Sequence, residues 1–371
     1  MEQEKRTVVL IGNHHVVIYN FRKELIERLL SENYRVIVLL PYSVEAEKIK
    51  ALGCEIVDVS VDRRGKNPFR DFKLFSTYRK LLRQIKPNVV LTYTIKPNIY
   101  GGLACRSLKI PCFCTVTGIG QGLFNGGFLT EVLFFLYRAA TKKARQVFFQ
   151  NEEDRQLFEN RRVAIGKHQL VNGSGVNLEQ FSYKEYPKEE PIRLLSLARL
   201  ARIKGTTELL EAVVRVKKHF PEVEFHLLGF LEDDYKDQLE KMIKEELVCY
   251  HGMQEDVIPF LESSHCLIHP SYSEGISNVC LEAAAIGRPI IASDIPGCRE
   301  CVEDGTTGLL VKMKDADDLA EKIEKFLLLS YNERKHMGEL GRKKVEQEFS
   351  REKVVDAYLK EIRKIDLREK R

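Results

Sequence analysis

The chain has 371 residues, 44% of them hydrophobic, which is too long for one ordinary domain and suits two domains with separate cores. No apolar run approaches the roughly 20 residues that span a bilayer, and nine cysteines without a signal peptide predict free thiols in the cytoplasm. The net charge of +5 conceals an asymmetry: residues 1 to 176 carry 28 Lys and Arg against 16 Asp and Glu, and the remainder 31 against 38, so the first half is expected to meet an anionic partner, nucleic acid or a lipid surface.

Residues 7 to 12 read as a buried strand ending in glycine, Asn13-His14-His15 as a loop, and residues near 21 to 31 as a helix, a first Rossmann-like βα unit. It lacks G-x-G-x-x-G, so no dinucleotide cofactor is expected. Strands at 35 to 40 and 55 to 59 flank a helix at 45 to 52. Strands alternating with helices predict a parallel sheet that holds ligands at the carboxyl ends of its strands. His14 and His15 do not share a face and have no further ligand nearby in sequence, which favours a loop touching donor or acceptor over a metal site. Arg22 reads equally as a surface charge or a phosphate contact.

Residues 63 to 69 form a basic, exposed loop that includes Arg64. A helix at 71 to 85 and a strand at 87 to 93 lead to Thr94-Ile95-Lys96-Pro97-Asn98, where Lys96 is placed to meet a phosphate. Cys112 and Cys114 point to one face of the next strand and read as core. Thr117-Gly118-Ile119-Gly120-Gln121-Gly122, after a strand at 113 to 116, lets backbone approach a ligand closely. Residues 127 to 145 predict an apolar helix ending in Arg138, Lys142, Lys143 and Arg145. Its Phe128, Val132, Phe135 and Leu136 either pack inside the domain or dip into an anionic leaflet. A strand at 146 to 150, read as the last of the first domain, and a helix at 152 to 160 precede a hinge at 172 to 177 and a linker at 187 to 191. The domains are thus expected at 1–172 and 173–350, with an amphipathic helix at 351–364 crossing back to the first.

The second domain repeats the plan. After a strand at 192 to 198, Arg199 and Lys204 project from a loop before a helix at 208 to 219. Paired cations there suit a diphosphate, with surface pairing to Glu208 or Glu211 as the alternative. Strands at 223 to 228 and 248 to 250 follow, and Glu232-Asp233-Asp234 reads as a solvated turn. Cys298 and Cys301 have no second pair at ligand spacing and read as a structural turn. The stretch 266 to 287 is the most informative: an apolar run stopped by Pro270, a turn at Gly275 and a helix from Asn278 to Gly287. The N–H groups of Ile276, Ser277 and Asn278, with the positive helix end, predict an anion cradle. Glu282, one turn inside, is placed to accept from ribose hydroxyls, and Glu274 to sit over the sugar.

Glu274, seven residues, then Glu282, Ala283 and Gly287 resemble the signature of retaining family 4 glycosyltransferases of the GT-B fold. Ala198 to Gly205, Leu227-Leu228-Gly229, Tyr250-His251-Gly252, Ser293 to Gly297 with Glu300, and Asp304 to Val311 look like further blocks of that family, in its order. The segments at Arg64, Lys96-Pro97-Asn98 and Thr117-Gly118-Ile119-Gly120 are similar to those of transferases that extend polyprenyl-diphosphate-linked sugars, nearest to the diacetylbacillosamine-diphospho-undecaprenol N-acetylgalactosaminyltransferase type, with departures at 13 to 15 and at Thr117.

The resemblance implies an α/β GT-B fold, two Rossmann-like parallel-sheet domains facing an interdomain cleft. It implies a UDP-sugar donor as substrate, no cofactor, no metal, a lipid-linked sugar acceptor, peripheral contact with an anionic membrane surface, and no nucleic acid partner. On this reading Arg199, Lys204 and Glu274 are catalytic. Glu282, Gly275, Ile276, Ser277, Asn278, Gly229 and Met253 bind the donor, and His14, His15, Arg22, Arg64, Lys96, Thr117 and Gly118 contact acceptor or phosphate. A soluble acceptor, a nucleotide-sugar epimerase and a non-catalytic nucleotide-sugar binder are the alternatives.

Overall fold

A computed structural model of the chain describes residues 5–62, 65, 67–118, 127–188 and 190–369. The chain divides into two compact units, Met1–Ser174 with Arg351–Arg371, and Gly175–Ser350. The boundary expected after residue 172 lies two residues ahead of that division.

The first unit is a seven-stranded parallel sheet. Its strands are β1 (Thr7–Ile11), β2 (Arg35–Leu40), β3 (Glu55–Asp58), β4 (Val89–Tyr93), β5 (Cys112–Val116), β6 (Gln146–Phe149) and β7 (His168–Leu170), in the order β3-β2-β1-β4-β5-β6-β7. β1, β4 and β5 are buried at every residue, and a strand covered on both faces needs apolar side chains on both, hence their nearly unbroken apolar runs. Val8 sets the register, paired with Val36 on one side and Val89 on the other. Helix His15–Ser31 packs on one face, and helices Pro68–Ile85, Gly102–Leu108, Phe128–Thr141 and Glu152–Asn160 on the other, as right-handed crossovers from a central β1 require.

The C-terminal helix, Arg351–Glu369, belongs to this unit. Val354, Tyr358, Leu359 and Ile362 pack with Ile18, Leu25 and Leu29. The Tyr358 hydroxyl lies 2.8 Å from Thr115 Oγ1, and Arg351 Nη1 donates to Glu24 Oε2 at 2.8 Å.

Two expectations fail here. The strand at 146 is not the last of its sheet, because β7 pairs beside it with His168 opposite Val147. Three partly exposed residues carry no apolar run for a sequence reading to find. The first helix begins at His15, not near residue 21. His14 is extended, with φ −166° and ψ 148°, and its Nδ1 accepts the Val16 N–H at 3.3 Å, so the imidazole itself caps the helix.

The second unit holds six parallel strands: β8 (Arg193–Leu197), β9 (Glu224–Leu228), β10 (Cys249–Tyr250), β11 (Cys266–His269), β12 (Ile290–Ser293) and β13 (Gly308–Val311), in the order β10-β9-β8-β11-β12-β13. Helices Thr206–His219, Lys236–Lys244 and Ala316–Leu327 cover one face, and Asn278–Ile286 with the end of Tyr331–Glu348 the other. Arg288, 0% exposed, fastens the chain entering this unit. Its guanidinium donates to the carbonyls of Lys184, Glu185, Leu261 and Glu262 at 2.9 to 3.1 Å. In each unit the strand order reverses once, between β1 and β4 and between β8 and β11. Loops leaving such neighbours diverge and leave a crevice at their carboxyl ends, where open α/β sheets bind ligands.

Candidate active site

In the second unit the crevice is walled by the loop after β8, residues 198–205, and the loop after β11, residues 270–277. Glycine makes their approach possible. Gly205 has φ +70°, and a Cβ there would stand 2.0 Å from the Pro270 carbonyl oxygen. Gly229, φ +136°, lies so close to Ala198 that a Cβ would meet its oxygen at 1.9 Å, and the Gly229 N–H donates to Gly252 O at 2.8 Å. The exits of β8, β9 and β10 are thereby tied together. The Tyr272 N–H donates to Ile203 O at 2.9 Å, closing the β8 loop on the β11 loop.

These loops bring Lys204 and Glu274 together. Lys204 Nζ lies 2.5 Å from Glu274 Oε1, and His269 Nε2 lies 3.0 Å from the same oxygen and 3.1 Å from Ser277 Oγ. Burial would raise the Glu274 carboxyl, but the Lys204 charge and the His269 bond outweigh it and hold the group well below the usual carboxylate range. Burial pushes the His269 imidazole down, yet the Cys280 sulfur and the Glu274 carboxylate beside it hold it above its ordinary value. The result is a fixed carboxylate between an ammonium and an imidazole, beside the positive end of helix Asn278–Ile286.

Ser277 caps that helix, its Oγ accepting the Cys280 N–H at 3.4 Å. The Ser277 N–H donates to Gly297 O at 2.8 Å, which takes it out of the expected three-membered anion cradle. Asn278 Oδ1 is buried without a hydrogen-bond partner. Gly275 is buried against Gly297, and Ile276 is 4% exposed in the core, so that its side chain anchors the turn. Glu282 is half-buried one turn into the helix. Arg199 is exposed and Nη1 lies 2.5 Å from Glu232 Oε1, a partner in neither of the positions expected for surface pairing. Met253 is 77% exposed at the exit of β10.

Cys298 and Cys301, read from the sequence as a plain turn, are buried, and Cys298 joins His269 and Cys280 in a group whose ligand atoms lie within 4.8 Å of one another.

In the first unit the corresponding crevice lies at the exits of β1 and β4. The His14 and His15 rings have centroids 4.2 Å apart and are tilted by 34°, and His15 Nδ1 lies 3.0 Å from Ser43 Oγ. Arg22 is 2% exposed, its guanidinium 4.5 Å from the Tyr93 ring centroid, so it is an interior residue and not a surface charge. Lys96 Nζ lies 2.7 Å from Asp71 Oδ1 and donates to Gly65 O at 2.8 Å. Asn98 is 0% exposed and links Thr92 to the Thr115 carbonyl. Thr117 and Gly118 are half-buried, Gly118 with φ +115°. Arg64 and residues 119 to 122 of the glycine-rich loop lie outside the described residues.

Two features were not singled out from the sequence. His269, the hub of the Glu274 group, looked like the end of a buried strand. Thr94 is β-branched yet has φ +73°, and its Oγ1, like Asn13 Oδ1 and Tyr93 OH, is buried with no partner. Such strain at a strand exit is typical of ligand sites.

Known proteins resemble this chain in sequence and in fold. Residues 179–344 match the family of glycosyl transferases group 1, and residues 7–151 the glycosyl transferase 4-like family. The N,N'-diacetylbacillosaminyl-diphospho-undecaprenol alpha-1,3-N-acetylgalactosaminyltransferase of Campylobacter jejuni is 30% identical over 328 residues, 84% of this chain and 86% of that one. A glycosyltransferase from Rickettsia africae superposes with TM-score 0.81 at 18% identity over 98% of this chain and 99% of its own. Anabaena Alr3699/HepE in complex with UDP and glucose does so with TM-score 0.78 at 14% identity over 96% and 98%. Each unit of the chain therefore has the sheet of a GT-B enzyme, and the protein belongs to the group 1 family of glycosyltransferases.

Proposed function

We propose that this glycosyltransferase moves a sugar such as GalNAc, GlcNAc or Gal from a UDP-sugar to a sugar carried on polyprenyl diphosphate, retaining anomeric configuration and using no metal, in assembly of a bacterial surface glycan. The observation that carries the reading is the Lys204–Glu274–His269 group at the exits of β8 and β11. Its support from relatives is the 30% identity to a transferase named for a diphospho-undecaprenol-linked acceptor.

When the anomeric carbon parts from the diphosphate, negative charge gathers on UDP. Lys204 meets it as a point charge, Arg199 as a planar fork, and the helix start at Asn278 as a dipole. Lys204 exchanges its Glu274 partner for phosphate, which frees that carboxylate to bind sugar hydroxyls. Glu282 takes the ribose hydroxyls. The acceptor hydroxyl attacks from the face the diphosphate leaves, its oxygen bonding to the anomeric carbon while its proton passes to a donor phosphate oxygen.

A lipid-linked acceptor requires approach to a membrane, and no helix of the described residues is long and apolar enough to cross one. Peripheral contact is supported by the first unit. Phe69 and Phe72 on one helix, and Phe128 and Phe135 on another, are 87%, 70%, 86% and 64% exposed. Both helices begin at the carboxyl side of the sheet, and the sequence of this unit is strongly basic.

The test is incubation with single UDP-sugars and a synthetic polyprenyl-diphosphate-linked sugar, with and without EDTA, followed by mass spectrometry and NMR of the product. The reading expects one added sugar in α linkage, insensitive to EDTA. Conversion of donor without acceptor would establish an epimerase instead, and transfer only to free sugars a soluble acceptor.

A further inference from the structure

The outer strands of the second sheet carry a line of polar side chains that ends at a loop of the crevice. Glu224 and His226, two residues apart on β9, point to the same face of the sheet, and Arg193 on β8 stands in register with Glu224. One oxygen, Glu224 Oε2, takes Arg193 Nε at 3.2 Å and His226 Nε2 at 3.1 Å. His226 Nδ1 in turn lies 2.9 Å from Nε2 of His251, the first residue after β10. The two imidazole planes are 5° apart with centroids at 5.1 Å, and the short N···N contact sets the rings edge to edge, not face over face. All four side chains belong to half-buried residues.

The hydrogen positions follow from the partners. A carboxylate only accepts, so His226 Nε2 carries a hydrogen; in the neutral ring Nδ1 is then an acceptor, and His251 Nε2 must donate to it. One added proton, on either ring, still leaves an N–H facing a lone pair. A second sets N–H against N–H and parts the rings. Burial and the neighbouring His226 both hold His251 below its ordinary value, so the closed pair resists that proton. Burial opposes the charge on Glu224, but the bonds from His226 and Arg193 outweigh it and keep the carboxyl low. Around the pair, Phe260 of helix Ile258–Ser263 sets its ring 5.0 Å from that of His251, and the Tyr250 hydroxyl donates to Gly229 O at 2.8 Å. The acids of the following loop, Glu255 and Asp256, are exposed, and Asp256 Oδ1 accepts the Ile258 N–H at 3.0 Å.

His251 sits at the junction of the loops. Its N–H donates to Leu227 O at 2.9 Å and its carbonyl accepts from Gln254 Nε2 at 2.6 Å, while the next residue, Gly252, accepts the Gly229 N–H. Gly229 is packed on Ala198, one residue before Arg199. We propose that Glu224 and His226 are positioning residues of the transferase: through the His251 ring they fix Gly252 against Gly229, and thereby the loop that carries Arg199, and the junction loosens when both imidazoles are protonated. The consequence for the donor rests on the reading above, in which Arg199 meets the UDP diphosphate; the relay itself does not.

Two measurements on the full chain test it: protection of the Gly229 amide from hydrogen exchange, read by NMR and corrected for the intrinsic rate, and UDP affinity by calorimetry. At about pH 7.5, His226→Ala should lower both by about fivefold, the effect of one lost hydrogen bond. His226→Asn brings a carbonyl oxygen near the place of Nδ1 and should recover most of that loss. Acidification from about pH 7.5 to about 5.5 should lower both quantities in wild type about threefold more than in His226→Asn, because the open loop binds the second proton and the closed one does not. UDP and His269 titrate in both proteins and cancel in that comparison. Equal Gly229 protection in wild type and His226→Ala, or an equal fall with pH in wild type and His226→Asn, would overturn the assignment. Should His226→Ala fail to fold, the pH comparison decides alone. Wild type that binds no UDP while Gly229 follows the expected course would overturn the donor reading and leave the relay standing.

Discussion

Glu274 Oε1 is shared: Lys204 Nζ stands 2.5 Å from it and His269 Nε2 3.0 Å. The lysine comes from the loop after β8 and the histidine from the end of β11, so one carboxylate oxygen joins both walls of the crevice. That makes Lys204 a part of the fold as well as a candidate for charge stabilisation.

Lys204→Ala should lower kcat by about 100- to 1,000-fold, the effect of deleting one preorganised charge-stabilising donor. It should also lower the melting temperature, since Glu274 loses its nearest cation. Arg199→Ala separates the two effects. Its pairing with Glu232 is solvent-exposed and contributes about 0 to 1 kcal/mol, so stability should hold while turnover falls. Initial rates and thermal melts of both variants read this out; wild-type turnover in either would remove that residue from the mechanism.

The raised pKa of His269 gives a pH dependence with a definite sign. A group whose folded pKa exceeds its unfolded value of about 6.5 stabilises fully below that pH and loses the contribution as pH rises through the folded value. Glu274 is ionised throughout this range, since its pKa is held low. The melting-temperature gap between wild type and His269→Gln should therefore be widest below pH 6.5 and narrow toward pH 9. A gap that stays constant across the range would mean that folding leaves the imidazole's pKa unchanged, and one that narrows toward low pH that the fold holds it neutral.

The parallel strands were legible because burial on both faces demands apolar runs, and the helix from Asn278 because Gly275, the alanines and Gly287 bracket it. Pairing across the fold was not. Arg199 is 33 positions from Glu232, and Lys204 is 70 from Glu274. No periodicity connects such positions, and only the crossing of loops after neighbouring strands brings them together. Arg22 illustrates the opposite failure. It reads equally as a surface charge or a phosphate contact, and the rings of Tyr93 and Tyr358 provide an aromatic bed that lets it be interior, which removes the first of the two.

Gly229→Ala tests whether the loop junction positions the donor. Its φ of +136° and a Cβ 1.9 Å from Ala198 O leave no room without backbone movement. The cost should be about 1 to 3 kcal/mol of stability. UDP affinity, measured by calorimetry on the still-folded fraction, should fall with it, because the loop that moves carries Arg199. Undiminished affinity would show that the β8 exit does not hold the diphosphate.

Arg288→Met should be among the most destabilising single changes in the second unit. Four carbonyls lose a charged donor at once. Each such bond contributes about 1.5 to 3 kcal/mol, and even partial rehydration leaves a loss of roughly 3 kcal/mol or more. Urea denaturation would reveal this as a lower midpoint with unchanged slope. A midpoint equal to wild type would mean that water replaces the guanidinium at no cost.

The exposed rings of the first unit predict how it meets a bilayer. Phe128 and Phe135 lie on one helix with the half-buried Val132 and Leu136, while Phe134 and Tyr137 face the core. Replacing Phe128 and Phe135 by Ser should therefore leave the melting temperature nearly unchanged, since neither ring contributes to the core. Each ring entering lipid contributes on the order of 1.5 to 3 kcal/mol, so the double variant should lose at least tenfold in sedimentation with vesicles of anionic lipid. Adding Phe69→Ser and Phe72→Ser should deepen the loss if both helices insert. High salt should weaken wild-type binding without abolishing it, because screening removes the contribution of the basic residues and leaves that of the rings. Binding that vanishes entirely in salt and is indifferent to the serine changes would make the contact electrostatic alone.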